Sequence, residues 1–510
     1  MAPATTTLSQ VDLGTNTSFD AARHEAEAYI PSHCILSKLY LQPHPADSPN
    51  DVGSITNSFA HAQPCSHDKY LIPSCQGTML VQRVIRRPGV SWQTCKPLAL
   101  GSIARRTLTS EQMKIVQSTI PALEQHGMAI TSLLHKRLLD SHPELKNVFN
   151  TTHQVTGEQP AALAHAVWAY ASNIDNPAAL QTTVSRIGHK HASLGITPEQ
   201  YPILGEGLLA AIKTVLGAAA DDQVLDAWGA AYEKLAEYCI RFEGELYRQA
   251  AATPGGWKGW RKFFVSHRAQ ESDGAITSFD LTPVDGDALP AHKPGQFVTV
   301  RRFVPELASY QPRQYGVSGA PDGKSLRILV TRAAASDARP AGRVAGVLHE
   351  DLPAGAELDV SMPLGGLVLD VNAATPVVLV SRGVGLTPAM AMLKTLVDQA
   401  SWRRVVFVHA ARGGCGHAMK AALSEIVANN PQVRRAVFYQ EVTDRDQQGF
   451  DYDFAGGLEL SKIKDVVLLP GADFYICGPL PFIKAQSKAL MLMGVDEGHV
   501  HMELFGSPSE

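Results

Sequence analysis

Two groups of residues in this 510-residue chain have types and spacing suited to chemistry. The first centres on His191. Val184, Ile187 and His191 recur at helical spacing, so the imidazole projects from the apolar face of a helix over Val184 to Ser193. A histidine placed so is commonly a satisfied core residue, but its neighbours suggest another use. Gly188-His189-Lys190-His191 leads into Ile196-Thr197-Pro198-Glu199-Gln200-Tyr201, and Glu243 lies on the inward side of a later helix. A metal-ligating imidazole donates its other ring N–H to an acceptor, and a carboxylate there raises its electron-donating power. Tyr201 and Glu243 are candidates for that supporting role. The second group is Arg382-Gly383-Val384-Gly385-Leu386-Thr387-Pro388, between the apolar run Pro376 to Ser381 and a helical stretch through Met390, Leu393 and Val397. A glycine turn between strand and helix lets backbone N–H groups approach a pyrophosphate at the positive helix end. Two glycines alone are a weak signal, so the surrounding elements must carry the rest.

Those elements fall into three kinds. From Thr109-Ser110-Glu111-Gln112, a capping-box sequence, to Ala252 the pattern is helical. Leu225, Trp228, Tyr232, Leu235, Cys239, Phe242 and Leu246 share one face of a long helix. Leu163, Val167, Tyr170 and Ile174 share a face of an earlier one, with Gln159 a turn before them, where its amide must find a partner. After the Pro/Gly linker Thr253 to Trp260, alternating segments such as Thr277 to Pro283 and Gln296 to Val300 read as strands of a small antiparallel barrel. The last third alternates apolar strands with helices, as a parallel α/β sheet does. The expected architecture is therefore multidomain: an N-terminal extension over 1–108, an all-α domain over 109–252, an antiparallel β-barrel over 255–366 and an α/β parallel-sheet domain over 374–510.

The composition, 45% hydrophobic and 18% charged, suits a globular enzyme. With 45 basic against 49 acidic side chains and a net charge of −4, the chain lacks the broad basic surface that nucleic acid demands. No apolar run approaches the roughly 18 residues that cross a bilayer, so no stable membrane insertion is expected. Seven cysteines without a CxxC pair point to a reducing compartment. Residues 1–78, rich in Thr, Ser, Asn, His and Pro, read as disordered. From Met79 to Ser110 there are Arg83, Arg86, Arg87, Lys96, Arg105 and Arg106 but no acid, a composition that resembles a mitochondrial presequence and equally suits a basic linker. The expected location is the mitochondrion if the segment from 79 acts as a presequence, and otherwise the cytoplasm.

Residues 109–510 resemble a flavohaemoglobin. The helical part carries Pro143-Glu144-Leu145-Lys146-Asn147-Val148-Phe149-Asn150, Tyr170-Ala171-Ser172-Asn173-Ile174, Lys190-His191, Pro198-Glu199-Gln200-Tyr201 and Leu225-Asp226-Ala227-Trp228-Gly229. The resemblance implies a globin domain in which His191 ligates the iron of haem b, Tyr201 and Glu243 orient it, Phe149 packs on the haem, and Gln159 and Leu163 line the side where oxygen binds. Lys190 resembles the family's basic residue beside that histidine. One position departs: where the family usually has a tyrosine that donates to bound oxygen, alignment through Thr119-Ile120-Pro121 places His135. A neutral histidine can donate one N–H, so a donor role is expected of it.

The other two parts resemble the ferredoxin–NADP reductase family. Arg313-Gln314-Tyr315-Gly316 follows Lys293-Pro294-Gly295-Gln296-Phe297 at the spacing of that family's flavin motif. By the resemblance Arg313 meets the FAD pyrophosphate and Tyr315 packs beside the flavin ring, with Phe297, Gln314 and Gly316 also in contact. Gly316 and Ala345 stand where the family has serines, which implies looser FAD. The glycine turn (Arg382, Gly383, Val384, Gly385, Leu386, Thr387), with Arg404 to Ala411 and Phe474-Tyr475-Ile476-Cys477-Gly478-Pro479, matches the lobe that binds NADH or NADPH. Arg382 replaces a small residue there, and an arginine suits the extra phosphate of NADPH. In the closing run His501-Met502-Glu503-Leu504-Phe505-Gly506-Ser507, Phe505 would cover the flavin, flanked by Leu504, Gly506 and Ser507, and Glu503 resembles a carboxylate that tunes the redox groups. The implied activity is that of a monomeric nitric oxide dioxygenase, converting NO and O2 to nitrate with electrons from NAD(P)H through FAD to haem. Two other activities suit the same residues: a gas-binding or sensing globin kept reduced by its own reductase, and an NAD(P)H-dependent flavin or ferric reductase.

Overall fold

The computed structural model describes residues 107–272, 275–332 and 352–504. The extension up to 106, with its possible presequence, lies outside the described residues, as do Ala345, Phe505, Gly506 and Ser507. The described residues belong to one compact unit.

The chain opens with α1 (Ser110–Ser118), and its start is the expected capping box: the Gln112 amide donates to the Thr109 hydroxyl at 3.2 Å, and the Thr109 amide donates to the Gln112 side chain at 3.0 Å. Six further helices follow: α2 (Ile120–Ser141), α3 (Thr151–Val155), α4 (Glu158–Ser172), α5 (Gln181–Leu194), α6 (Gln200–Leu216) and α7 (Asp222–Ala252). Their apolar faces meet in one core, where Val116, Leu134, Ala171, Ala211 and Ala231 are fully buried. Asp221 starts α7 by accepting from the Val224 amide, and Gly195, at φ 76°, ends α5 four residues after His191. Gly188 lets α5 approach α7 closely, since a Cβ there would lie 2.4 Å from the Phe242 ring.

One stretch corrects the sequence reading: Gln200–Ala219 has a mean hydropathy of 1.4 and is long and apolar enough to span a bilayer. Glycine and alanine make it apolar between its larger residues, so it does not read as one continuous greasy run. In this fold most of it is α6, with Tyr201, Leu208 and Ile212 buried in the helical core.

Six strands form an antiparallel sheet: β1 (Trp260–Gln270), β2 (Ile276–Pro283), β3 (Phe297–Val304), β4 (Ser309–Gly316), β5 (Leu326–Thr331) and β6 (Glu357–Ser361), in the order β4-β3-β6-β1-β2-β5. Alternate residues, among them Phe263, Val265, Phe279, Leu281, Val298 and Val300, point into a single core. A second, parallel sheet comprises β7 (Val377–Arg382), β8 (Val405–Ala411), β9 (Val433–Tyr439), β10 (Phe454–Ala455), β11 (Asp473–Gly478) and β12 (Val500–Leu504), in the order β10-β9-β8-β7-β11-β12. Helices α8 (Leu386–Asp398), α9 (Lys420–Asn429), α10 (Lys464–Val467) and α11 (Leu480–Leu492) connect its strands. Val377 and Leu379 enter one core and Val378 and Val380 another, so β7 is buried on both faces. That explains its uninterrupted apolar sequence.

Candidate functional site

The close approach of α5 to α7 sets the first centre. His191 Nδ1 lies 2.8 Å from Glu243 Oε1 and 3.3 Å from the Tyr201 hydroxyl, which itself donates to the same carboxylate oxygen at 2.5 Å. Glu243 is only 2% exposed. Burial, reinforced by the hydrogen bond to Glu243, pushes the Tyr201 hydroxyl far above its ordinary range, so it stays a donor. A carboxylate offers no proton; His191 Nδ1 must therefore carry one, and its Nε2 lone pair is left for a metal ion. The donor set fits a haem iron. Sequence reasoning missed the braces that hold it. Tyr232 donates to the Tyr201 carbonyl at 2.6 Å and Tyr247 to the Ile196 carbonyl at 2.7 Å. Cys239, one turn before Glu243, is a buried thiol pushed up to about 11, chiefly by that burial. The spacing along α7 was the available signal for all three.

On the other side, Phe149 and Leu163 pack partly buried against the helical core, and Gln159 lies one turn before Leu163 on α4. The Gln159 side-chain oxygen accepts from Gln154 Nε2 at 2.9 Å, so its NH2 remains the free donor. Gln154, on α3, is a second residue that sequence reasoning missed. His135 is 4% exposed, edge-on to Phe149 at 5.6 Å between ring centres. Its Nδ1 lies 2.8 Å from the Thr131 carbonyl oxygen. That nitrogen must donate, which leaves Nε2 of the neutral ring an acceptor only. Burial holds the ring's pKa below its ordinary value despite the Thr131 contact, so neutral is the form at neutral pH. The donor role expected of His135 therefore does not fit this geometry, because its one proton is already spent on the helix backbone.

The sheet strands bring the flavin-motif residues to the globin. Phe297 pairs with Gly316 across β3 and β4. Between them Arg313, lowered to about 10 by burial, donates only to neutral oxygens, the Pro312 carbonyl at 2.7 Å and the Thr152 hydroxyl at 3.3 Å. A half-buried guanidinium that meets no carboxylate among the described residues fits an anionic pyrophosphate. Burial pushes the Tyr315 hydroxyl up to about 12. Gln314 Nε2 donates to the Ser193 hydroxyl at 3.2 Å, and the Thr299 hydroxyl donates to the same atom at 2.7 Å, which ties the flavin motif to the helix of His191. The Gly365 amide also donates to His189 Nδ1 at 3.2 Å. Near this junction burial pushes the Glu503 carboxyl up and the Lys190 ammonium down, while each counters the other's shift.

The nucleotide residues gather at the carboxyl ends of the parallel strands, as ligand sites of such sheets do. Gly383 takes φ 55° after β7, and a Cβ on Gly385 would stand 2.4 Å from the Cys477 carbonyl oxygen. The turn is thus pressed against the end of β11, where Gly478 and Pro479 lead into α11 and Gly478 pairs with Leu504. Val384 accepts from the Thr387 hydroxyl at 3.0 Å as Leu386 begins α8. Cys477 is fully buried, and burial raises its thiol well above the ordinary value. Beside the turn is a cleft of about 240 Å³ lined by Arg382, Ala410, Gln440, Phe482 and Gln486 among others. Arg382 was expected there; Gln440 and Gln486 were not, because their elements carry no motif.

Fold and site together define a haem-type globin joined in one chain to a flavin and nicotinamide reductase module. Residues 121–239 match the globin family and residues 379–488 the oxidoreductase NAD-binding domain. A flavohemoprotein of Rhizobium meliloti is 48% identical over 78% of this chain and 98% of its own length, and one of Bordetella pertussis is 49% identical over 78% and 99%. The crystal structure of a Malassezia yamatoensis flavohemoglobin with bound FAD and heme superposes with a TM-score of 0.68 at 25% identity, covering 78% of this chain and all of that one. The chain belongs to the flavohaemoprotein family.

Proposed function

We propose that the chain is a nitric oxide dioxygenase that takes two NO, two O2 and one NAD(P)H to two nitrates, NAD(P)+ and a proton. The observation that carries the reading is the His191–Glu243–Tyr201 triad, in which a half-buried imidazole meets a buried carboxylate and a buried phenol. Its His191 lies on the same helix as Ser193, which the flavin-motif strands grip. When bound, the nicotinamide and flavin supply electrons first in pairs and then singly, and the haem iron supplies the oxygen chemistry. The chain's own groups do the rest. His191 Nε2 would hold the iron, and the Glu243 carboxylate, by accepting a hydrogen bond from Nδ1–H, makes that imidazole a stronger electron donor. Tyr201 fixes the carboxylate, Phe149 and Leu163 exclude water, and the Gln159 NH2 is the hydrogen-bond donor to the ligand. Arg313 holds the FAD pyrophosphate; Tyr315, Phe297, Gln314, Gly316 and Leu504 frame the flavin. The turn from Arg382 to Thr387, with Cys477, Gly478 and Pro479, receives the nucleotide, while Lys190 and Glu503 set the charge between haem and flavin.

We read the antiparallel sheet as a barrel closed between its end strands; the isolated bridge between Val317 and Ile328 supports this. The working form is taken to be a monomer without membrane insertion, in the mitochondrion if residues from 79 act as a presequence and otherwise in the cytoplasm. Aerobic NO consumption with NADH or NADPH, followed by nitrate analysis, tests the activity. Rapid turnover to nitrate supports it. Slow turnover with persistent gas binding would replace it with a gas-binding globin, and NAD(P)H oxidation without haem absorbance with a plain reductase.

A further inference from the structure

We infer that Gln486 is a specificity-determining residue whose side-chain oxygen accepts a hydrogen bond from the adenosine half of the dinucleotide. This rests on the nucleotide-dependent reading above and adds to it a recognition contact outside the glycine turn.

Gln486 stands on α11 with only 6% of its surface exposed, and it lines the cleft beside the turn. Its Oε1 is buried and has no hydrogen-bond partner among the described residues. Folded proteins rarely leave a buried carbonyl unpaired, and where they do, a ligand that brings a donor repairs the loss. The cleft is built for such a ligand. Arg382 brings a cation at the end of β7, next to the turn whose amides face a pyrophosphate. Ala410, Leu458 and Phe482 supply apolar wall, suited to the flat face of a base. At about 240 Å³ the cleft falls below the roughly 300–1,000 Å³ of pockets that enclose a whole drug-sized molecule, so it takes one half of the dinucleotide.

The polarity of the orphan atom narrows the choice further. Ionised phosphates carry no hydrogen-bond donor, so Oε1 has no use for the pyrophosphate. The donors on either side of that pyrophosphate are the ribose hydroxyls, the amino group of adenine and the carboxamide of nicotinamide. The nicotinamide must reach the flavin, and no flavin-motif residue lines this cleft, which leaves the adenosine donors for it. Gln486 thus completes recognition of the nucleoside, while the turn and Arg382 recognise the phosphates.

The test uses the FAD- and haem-loaded protein and Gln486→Leu, with Gln486→Met as a second apolar variant of similar size. Calorimetric titration with 5′-ADP should show affinity falling about 2- to 13-fold, the loss of one neutral hydrogen bond of about 0.5–1.5 kcal/mol. In anaerobic flavin reduction, half-saturation by NADH should rise by the same factor, and that by reduced nicotinamide mononucleotide should not change. The unliganded variants should unfold at the same temperature as the parent or higher, because an unpaired buried oxygen has been removed. Unchanged ADP affinity, equal weakening of both nicotinamide donors, or a lowered unfolding temperature in both variants would overturn the inference. If the parent protein binds ADP but neither NADH nor NADPH reduces its flavin, the functional reading fails, and the ADP arm still decides the Gln486 contact.

Discussion

Replacing His135 by leucine should leave oxygen dissociation from the ferrous protein nearly unchanged at about pH 7.5. The reason is the proton inventory of the ring. Nδ1 donates to the Thr131 carbonyl at 2.8 Å, burial keeps the ring neutral, and Nε2 therefore has no proton to offer a bound ligand. The Gln159 NH2, freed because Gln154 occupies its oxygen at 2.9 Å, is the donor instead. One neutral hydrogen bond contributes about 0.5–1.5 kcal/mol, so Gln159→Leu should speed dissociation about 2- to 13-fold. His135→Tyr, which restores a hydroxyl, should slow it by a similar factor. Stopped-flow displacement of oxygen by carbon monoxide measures all three. The pH dependence has a definite sign: below the depressed His135 pKa, itself below the ordinary ~6.5, the ring gains a second proton and Nε2 becomes a donor. Dissociation from the parent protein should then slow as the solution is acidified, and the leucine variant should lack that trend. A several-fold faster rate for His135→Leu at neutral pH would refute the reasoning, since it would mean that Nε2 carries the proton.

Three further outcomes follow from buried polar groups. Ser193→Ala leaves the buried Thr299 hydroxyl without its acceptor, at about 1–3 kcal/mol for a buried donor left unpaired, while the exposed Gln314 amide turns to water; denaturant titration should show the loss, and an unshifted midpoint would mean the junction contributes nothing. Burial lowers His189 and His409 to about 4 each, so both stay neutral when folded, whereas the unfolded chain protonates them near ~6.5. Their contribution is complete above ~6.5 and lost as pH falls toward about 4, with a slope of up to about 1.4 kcal/mol per pH unit for each ring. His189→Gln should flatten the denaturation midpoint against pH over that window, and an unchanged slope would show that His189 titrates normally. Brief iodoacetamide treatment followed by peptide mass analysis should label exposed Cys415 and spare buried Cys239 and Cys477; early labelling of Cys477 would contradict its burial at the end of β11.

The sequence by itself determined whatever depends on local spacing. Helical periodicity placed His191 on an inward face, an apolar run followed by Gly383 and Gly385 marked a strand, a turn and a helix, and alternation located strands after the linker. Capping at Thr109 was legible because the residues that bond are three apart. Periodicity says which face is buried; it does not say which buried groups meet. Glu243 was an expected partner of His191, but only the tertiary structure set their 2.8 Å contact across 52 residues, and it alone brought Thr299 to Ser193 across 106. It also decided His135, whose identity allowed a donor and whose distance to one carbonyl removed it. The apolar character of Gln200–Ala219 is the converse case: composition alone permits a membrane span, and the fold packs one face of it, with Tyr201, Leu208, Ala211 and Ile212, into the helical core. Gln486 lies furthest from the sequence, because an unpaired atom is a property of everything around it. Hydrogen bonds and desolvation act over a few ångströms in space, and chain order fixes those distances only within an element.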